Sequence, residues 1–347
     1  MSPITTKGHG LVLVTGANGF IAARTVEAFL LSGYSVRGTV RSTANSQPLL
    51  DALKYYGDRF ELVEVKDITA PGAFDEAIRG VDYVAHVAAP VSFHFTDPEP
   101  VLRAAVHGTT GILESAVKES SVKHFVLMSS IVSCLSPKET YRFTEKDWNT
   151  VAEAAVAEKG KDAGGYLIYA ASKVAAEKAL WKFRNERKPK FTVTALNPVF
   201  VAGPPLVPYP SPDKVQESAW MLRDVFFGVE LDKAGLPSAM KGYVDVRDVA
   251  RFVKYSVEHP AETDGERYIL SAVSGPAQSV ADILREAYPE RRGIIQEGTP
   301  GQGYNLPGYT FPKDRVVDGG KARKLLGAYL PWEQTVVDTA KAFEHLS

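Results

Sequence analysis

Tyr169 and Lys173 are the residues whose types and spacing suggest chemistry most directly. They stand four residues apart in the run Y-A-A-S-K, and that spacing places both on one face of a helix. A phenol with its ordinary pKa of about 10 is a poor acid or base at neutral pH. An ammonium about 4 Å away contributes about 4 kcal/mol at an effective dielectric constant of about 20, enough to lower the pKa of the phenol to near 7. The pair is expected to act in general acid–base catalysis, although a tyrosine beside a lysine is also an ordinary surface feature.

A pair of hydroxyl groups could complete this site. The apolar run Phe125–Met128 predicts a buried strand, and Ser129 and Ser130 follow it directly. A hydroxyl at such a strand end could hold a substrate carbonyl oxygen beside the tyrosine, as an oxyanion stabiliser does. Serines after a strand also form ordinary turns, so their value lies in the combination with the other motifs.

A glycine-rich turn supplies a candidate nucleotide site. The strand Leu11–Val14 leads into T-G-A-N-G-F-I-A, with the spacing G-x-x-G-x-x-A. The first glycine permits a sharp turn, the second lets the backbone approach a pyrophosphate, and Ala22 keeps the helix close to the strand. The helix N-terminus adds free N–H groups and a partial positive charge, although two glycines can also form a mere tight turn. The residues expected to bind a nucleotide cofactor at this turn are Gly16, Asn18, Gly19, Phe20 and Ile21.

The end of the second strand predicts which cofactor binds. An NAD-binding fold normally places an acid there, which binds the ribose 2′-hydroxyl. Here Val40 stands near that place, followed by Arg41, with Arg37 four residues earlier and of the same strand parity. Arginine can bind a 2′-phosphate through two parallel hydrogen bonds, so NADP(H) is predicted rather than NAD(H). The alternative is that both arginines are solvated surface charges.

Two further strand ends point to the same crevice. Asp67 and Ile68 close the third strand, where Asp67 could hold the adenine amine. The fourth strand ends in H-V-A-A, and small residues such as Ala88 leave room for a cofactor ribose. His86 is expected to pack beside the loop rather than to take part in chemistry.

Elements that could position these residues alternate along the first half of the chain. Alternating strands and helices predict a doubly wound α/β (Rossmann) fold with a parallel sheet. Five prolines between residues 203 and 212 then enforce an irregular loop, and the alternation ends. We predict a dinucleotide-binding domain at 1–200 carrying the catalytic residues. Residues 201–347 are predicted to form mainly a smaller mixed α/β substrate cap, with some segments returning to the first domain. The predicted elements include strands at 11–14, 34–40, 60–65, 81–87, 125–128, 191–196, 242–245 and 266–270, and helices at 25–32, 49–56, 74–78, 101–118, 169–187, 217–227, 246–258, 280–288, 319–326 and 333–346.

Composition narrows the class of protein. The 347 residues carry 40 basic and 41 acidic side chains, so the chain offers no basic field for nucleic acid or an anionic membrane. A single cysteine, Cys134, excludes an intramolecular disulfide and any multi-cysteine metal site. The first fifteen residues hold only a four-residue apolar run, too short for a signal peptide or anchor, so a cytoplasmic protein is expected.

A substrate pocket is expected between the loops after the strands and the cap. Its candidates are mostly apolar, which favours aromatic or alkyl carbonyls over sugars. Each candidate is as readily a core residue as a pocket residue. They are Val91, Phe93, Val132, Ser133, Tyr209, Trp220 and Phe226.

Together these motifs resemble the extended short-chain dehydrogenase/reductases. Within them the chain is similar to the branch of fungal NADPH-dependent aldehyde and ketone reductases, dihydroflavonol reductase and cinnamoyl-CoA reductase. The resemblance covers nearly the whole chain. Its segments are V-T-G-A-N-G-F-I-A (14–22), V-R-G-T-V-R (36–41), H-V-A-A (86–89), F-V-L-M-S-S (125–130), Y-A-A-S-K (169–173), N-P (197–198), V-D-V-R-D-V-A (244–250) and D-x-x-K-A-x-x-x-L-G (318–327).

This resemblance implies roles for individual residues. The catalytic triad would be Ser130, Tyr169 and Lys173, with the second serine of the pair matching the family's catalytic one, and Lys173 would also hold the nicotinamide ribose. Further implied cofactor contacts are Pro198 and Val199 at the nicotinamide and Arg37 at the 2′-phosphate. The small-molecule branch often carries an asparagine in the central helix, and the matching stretch 104–109 has none.

The implied activity is NADPH-dependent reduction of an aldehyde or ketone, with hydride moving to carbon while Tyr169 gives its proton. One alternative is a dedicated biosynthetic ketoreductase of the same fold. Epimerases and dehydratases that use NAD and sugars fit less well, because Arg37 and Arg41 favour NADP. A non-catalytic regulator that senses NADP would not need the serine, tyrosine and lysine together. The resemblance also allows a homodimer, since some relatives dimerise through helices that match 101–118 and 169–187 while others are monomers.

Overall fold

The computed structural model describes residues 8–137, 141–236, 242–305 and 315–346. The strands are β1 (Leu11–Thr15), β2 (Ser35–Val40), β3 (Phe60–Glu64), β4 (Tyr83–His86), β5 (His124–Met128), β6 (Tyr141–Phe143), β7 (Thr192–Pro198), β8 (Phe200–Ala202), β9 (Gly242–Asp245), β10 (Glu266–Leu270), β11 (Val273–Ser274) and β12 (Arg315–Val317). The helices are α1 (Phe20–Leu31), α2 (Gln47–Leu53), α3 (Pro98–Lys118), α4 (Thr150–Lys159), α5 (Gly165–Arg187), α6 (Trp220–Phe226), α7 (Val246–Glu258), α8 (Pro260–Thr263), α9 (Ala277–Ala287), α10 (Gly320–Leu326) and α11 (Trp332–Lys341).

Seven strands form the central sheet in the order β10-β7-β5-β4-β1-β2-β3. Every neighbouring pair in it is parallel. The chain winds outward in one direction through β1, β2 and β3 and in the other from β4 to β10. The order therefore reverses between β1 and β4, and ligands of such sheets bind in the crevice at this point. The predicted doubly wound fold is confirmed.

The strands are apolar because both faces of the sheet are covered. Val12 and Val14 of β1 belong to the core cluster beneath α1 and α7. Leu11 and Leu13, on the opposite face, join the cluster formed with α3 and α5. The alternation within one short strand thus buries both rows of side chains, as expected for a covered parallel sheet. This arrangement fixes the carboxyl ends of the strands at one edge.

Parts of the C-terminal half return to this sheet, and the rest forms a smaller unit. Strand β10 pairs with β7, and α7 shares the core cluster of α1. A mixed sheet, β11-β9-β8, combines one parallel and one antiparallel pair, while β12 pairs with β6. The core of the small unit is aromatic and includes Phe226, Tyr243, Tyr288, Trp332 and Phe343.

The main local error of the sequence prediction is the helix at 74–78. Residues 69–80 form consecutive turns instead, although Phe74 and Ile78 are buried. The segment is bounded by two glycines in the left-handed region, Gly72 with a φ of 70° and Gly80 with a φ of 71°, and neither conformation can belong to a right-handed helix. In addition, α1 begins at Phe20, five residues earlier than predicted, because the glycine turn leads straight into it. In the described ranges, no helix combines the length and apolarity that a membrane crossing requires.

Candidate active site

Helix α5 brings Tyr169 and Lys173 to one buried face at the carboxyl edge of the sheet. Their exposed fractions are 7% and 6%. Lys173 Nζ lies 5.9 Å from the centre of the Tyr169 ring. The same ammonium donates to the carbonyl oxygen of Met128, the last residue of β5, at 3.5 Å. The spacing of four residues thus places the phenol and the amine beside the end of a central strand.

Burial dominates the electrostatics of this pair. It raises the pKa of Tyr169 to about 12, and a hydrogen bond with Ser130 opposes the rise. It lowers the pKa of Lys173 to about 8, and the negative charge of Glu177 opposes that fall. The predicted tyrosine pKa near 7 is therefore wrong for this structure. Desolvation of the phenolate is the largest cause of the rise, and the charges of Tyr166 and Glu217 add to it.

The two serines after β5 have different surroundings. Ser130 is extended and interacts with the phenol of Tyr169, while its Oγ accepts the N–H of Val132 at 3.4 Å. The Ser129 hydroxyl instead donates to the carboxylate of Glu177. Successive residues of extended chain point in opposite directions, which explains the difference. Of the two, only Ser130 lies beside the phenol.

The glycine turn has the shape of an anion cradle. Gly16 has a φ of 67°, and a Cβ there would come within 3.2 Å of the backbone and side chain of Ala88. At Gly19, which caps α1, an added Cβ would meet only the carbonyl oxygen of Gly16. Within the described chain, no side chain caps α1 and its first turn holds no acidic residue. The N–H groups of this turn, which contains Phe20 and Ile21, suit an anionic ligand, and Asn18 is exposed beside them.

Thr15 holds the two strand ends of this crevice together, a role that the sequence analysis missed. Its Oγ1 accepts the N–H groups of Val87 and Ala88, both at 3.0 Å. Because the oxygen already accepts two hydrogen bonds, the hydroxyl donates its own to Nδ1 of His86, 2.9 Å away. Burial, reinforced by the charge of Lys173, lowers the pKa of His86 to about 3. His86 is thus a neutral packing residue. The only sequence signal for the linking role of Thr15 was a threonine directly before the first glycine.

Arg37 does not reach the crevice, which corrects its assignment to a 2′-phosphate. Its Nε pairs with Glu61 on β3. Its Nη1 donates to the carbonyl oxygens of Ala77 and Arg79 at 2.9 and 2.8 Å. The side chain lies across the sheet face covered by the 69–80 turns, because residue 37 sits in the middle of β2. Its guanidinium is occupied in structural contacts.

Arg41 remains as the candidate phosphate ligand. It follows the last residue of β2 and is exposed. In the described ranges no hydrogen bond or ion pair engages its side chain. Asn18 of the glycine turn reaches toward the same segment, with Nδ2 3.5 Å from Ser46 Oγ. An unengaged guanidinium therefore stands at the strand end where the ribose specificity of such folds is set.

The remaining predicted cofactor residues lie at neighbouring strand ends. Asp67 is exposed, and hydrogen bonds from Thr69 lower the pKa of its carboxyl. Ile68 packs against α3 at Gly108, where an added Cβ would come within 2.8 Å. Pro198 ends β7, and buried Val199 donates its N–H to the carbonyl oxygen of Leu270 at 3.1 Å.

An aromatic wall stands beside the tyrosine. The ring of Phe93 packs edge-on against Tyr169 with centroids 5.2 Å apart, and it also contacts Tyr166 and Phe200. Glu217, which the sequence analysis did not select, accepts the N–H of Phe93 at 3.0 Å. A segment of the small unit thus holds the β4–α3 loop against the site. Val91 of the same loop is 61% exposed.

Several other predicted pocket residues belong to the interior. Phe226 is fully buried between Tyr288 and Phe343, and Tyr209 stacks on Phe343. These two assignments are corrected, because both rings fill the aromatic core of the small unit. Likewise, the side chains of Val132 and Ser133 are buried in the turn after β5. Trp220 donates Nε1 to the carbonyl oxygen of Val215 and stacks on His94 at the edge of the loop.

Comparison with known proteins agrees with this arrangement. A family model described as the NAD dependent epimerase/dehydratase family matches residues 12–271. Aldehyde reductase 2 of Sporidiobolus salmonicolor is 42% identical over 304 residues, covering 85% of this chain and 86% of that protein. The NADPH-dependent methylglyoxal reductase GRE2 of Saccharomyces cerevisiae is 35% identical over 347 residues, covering 95% and 96%.

A solved structure extends the likeness to three dimensions. The crystal structure of yeast methylglyoxal/isovaleraldehyde reductase Gre2 complexed with NADPH superposes with a TM-score of 0.82 at 32% identity. It covers 97% of this chain and 100% of that one. The resemblance to extended short-chain dehydrogenase/reductases is confirmed. The chain belongs to the NAD dependent epimerase/dehydratase family.

Proposed function

We propose that the protein is an NADPH-dependent carbonyl reductase acting on aldehydes or ketones with aromatic or alkyl substituents, 2- and 3-oxo esters included. The observation that carries this proposal is the buried phenol of Tyr169 beside Ser130 and Lys173. All three lie at the edge of the sheet that also carries the glycine turn. The names of the related aldehyde and methylglyoxal reductases support the same chemistry.

The residues of the crevice fit a dinucleotide phosphate. Side chains larger than hydrogen would fill the cradle at Gly16, and the uncapped start of α1 suits a pyrophosphate. Arg41 would bind the 2′-phosphate, which favours NADP(H) over NAD(H). Other residues assigned to the cofactor are Asn18, Gly19, Phe20, Ile21, Asp67, Ile68, Ala88, Lys173, Pro198 and Val199. When bound, the nicotinamide supplies the hydride.

Ser130 and Tyr169 provide the acid side of the reaction. Both hydroxyls donate to the carbonyl oxygen of the substrate, which polarises the carbonyl and stabilises the charge that develops on oxygen. Tyr169 then transfers its proton to that oxygen, because its pKa of about 12 keeps the phenol neutral at pH 7. The charge of Lys173 stabilises the tyrosinate left behind. The apolar wall at Phe93 receives the substituents of the substrate.

The test is consumption of NADPH by the purified protein with three candidate substrates, namely an aldehyde, an oxo ester and a nucleotide sugar. With benzaldehyde and with ethyl acetoacetate, the amount of NADPH oxidised should equal the amount of alcohol formed, whereas UDP-glucose should not react. Binding of NADPH without turnover on any carbonyl would identify a regulator instead. Conversion of the nucleotide sugar without net loss of cofactor would identify an epimerase.

A further inference from the structure

Glu177 is a fully buried carboxylate that the proposed mechanism does not use. It lies on α5, one helical turn beyond Lys173. Buried carboxylates are costly unless they are paired and hydrogen-bonded, so each of its contacts requires a reason.

Three donors converge on one oxygen of this carboxylate. Oε2 accepts the Ser129 hydroxyl at 2.5 Å, the Ser133 hydroxyl at 2.7 Å and Asn197 Nδ2 at 2.8 Å. An ionised carboxylate can only accept, so Asn197 must present its nitrogen. In the described structure this leaves Asn197 Oδ1 buried without a partner. The carboxylate thus determines the orientation of the Asn197 amide, although this orientation leaves the amide oxygen without a hydrogen bond.

The second oxygen faces a counter-charge from the edge of the sheet. Oε1 pairs with Nε of Arg267 on β10. The guanidinium lies 3.9 Å over the ring of Trp148, and its Nη1 donates to the carbonyl oxygens of Glu145 and Asp147, both at 2.7 Å. A well-packed apolar pair could often stabilise the fold equally well. Stability alone is therefore a weak explanation for placing two charges here.

The contacts of the carboxylate lead to the catalytic serine. Asn197 Nδ2 also donates to the backbone oxygen of Ser130 at 3.2 Å, and the Ser133 hydroxyl lies 2.8 Å from the same oxygen. Ser129 is drawn to Glu177, so the next residue along the extended chain points the other way, toward Tyr169. The Glu177 carboxylate thus holds the turn after β5 from the side opposite Tyr169, through Ser129, Ser133 and Asn197.

We propose that Glu177 is a positioning residue whose buried carboxylate, balanced by Arg267, holds the 129–133 turn so that Ser130 faces Tyr169. The inference rests on the proposed reductase function for its kinetic part only. The same carboxylate supports the charged form of Lys173, which also lies near His86 and Tyr169.

The test compares Glu177→Gln with Glu186→Gln, an exposed glutamate on the same helix. In Glu177→Gln, kcat for ethyl acetoacetate should fall about 10- to 100-fold, while the Kd for NADPH changes less than about twofold. Hydrogen exchange at the amides of Ser129 and Ser133 should quicken about tenfold, and exchange in β1 should not change. Glu186→Gln should match the wild type throughout.

A double variant, Glu177→Leu with Arg267→Met, separates positioning from stability. Removing both charges should return the Tm close to that of the wild type, because no buried charge is left unpaired. The kcat and the exchange in the 129–133 turn should stay perturbed. The proposal would be overturned if kcat and the exchange rates of the turn both recovered in the double variant. It would also be overturned if neither kcat nor these exchange rates changed in Glu177→Gln. If the wild type reduces no carbonyl, the proposed function fails, and the exchange measurement still decides this inference.

Discussion

The ammonium of Lys173 lies 5.9 Å from the centre of the Tyr169 ring, and both groups are buried on one face of α5. Burial moves their pKa values in opposite directions, to about 12 for Tyr169 and about 8 for Lys173. At neutral pH the phenol therefore keeps its proton and the amine largely keeps its charge. These are the protonation states that proton donation to a carbonyl oxygen requires.

The first prediction concerns the pH dependence of reduction. Lys173 loses its charge as pH rises through about 8, and the tyrosinate that the proposed mechanism forms at residue 169 then loses its stabilising neighbour. The kcat/KM for benzaldehyde should accordingly fall by up to about tenfold per pH unit above about 8. A steady-state profile from about pH 6 to about pH 10 measures this. A profile that stays flat across this range would show that the charge of Lys173 is not needed.

The second prediction concerns the effect of this buried ammonium on stability. The folded state lowers the pKa of Lys173 from 10.5 to about 8, so between these values the unfolded state binds more protons and stability rises with pH. At pH 7 the charge therefore opposes folding. Lys173→Met should raise the free energy of unfolding at pH 7 by about 1–3 kcal/mol while it strongly reduces turnover. Urea unfolding of both proteins measures the change, and a less stable variant would contradict it.

The third prediction separates two arginines that look equivalent in sequence. Arg41 is unengaged at the end of β2, whereas Arg37 is paired with Glu61. Arg41→Ala should weaken NADPH binding about 10- to 100-fold and leave NADH binding nearly unchanged, because a charge-assisted contact to the 2′-phosphate is lost. Arg37→Ala is the matched control: it should lower the Tm without altering the ratio of the two Kd values. Equal losses for both cofactors in Arg41→Ala would remove the phosphate assignment.

The fourth prediction concerns substrate charge. The Glu217 carboxylate holds the N–H of Phe93 and lies close enough to Tyr169 that its charge raises the pKa of the phenol. A negative charge at the wall of the site should repel an anionic substrate. Ethyl pyruvate should therefore exceed pyruvate in kcat/KM by at least about tenfold, and Glu217→Gln should narrow this ratio. Comparable rates for ester and acid in the wild type would exclude the effect.

Much of the fold was predictable because its signals are local. Apolar runs and helical spacing identified most elements of the sheet and its covering helices, and α7 and β10 have the predicted bounds. The spacing of Phe74 and Ile78 predicted a helix where the chain forms turns, and the added elements β6 and α4 carry no comparable periodicity. Their conformations depend on what they pack against, as the buried side chains of Phe74 and Ala152 illustrate.

Parts of the candidate site depend on contacts between segments that are distant in sequence. Sequence patterns do not reveal such contacts. Spacing alone placed Tyr169 and Lys173 on one face, but only the structure places Glu61 against Arg37 and Phe343 against Phe226. The pKa of Tyr169 was also beyond sequence reasoning. It depends on the degree of burial, which is the largest cause of the raised pKa.

Replacing Tyr169 with phenylalanine removes one hydroxyl and keeps the ring against Phe93. Single-turnover mixing of NADPH-saturated protein with benzaldehyde then compares the rate of NADPH oxidation in the two proteins. The variant should bind NADPH with unchanged affinity and oxidise it about a thousandfold more slowly, since the proton donor and its hydrogen bond to oxygen are lost. Oxidation at the wild-type rate would contradict the assignment of Tyr169 as the acid.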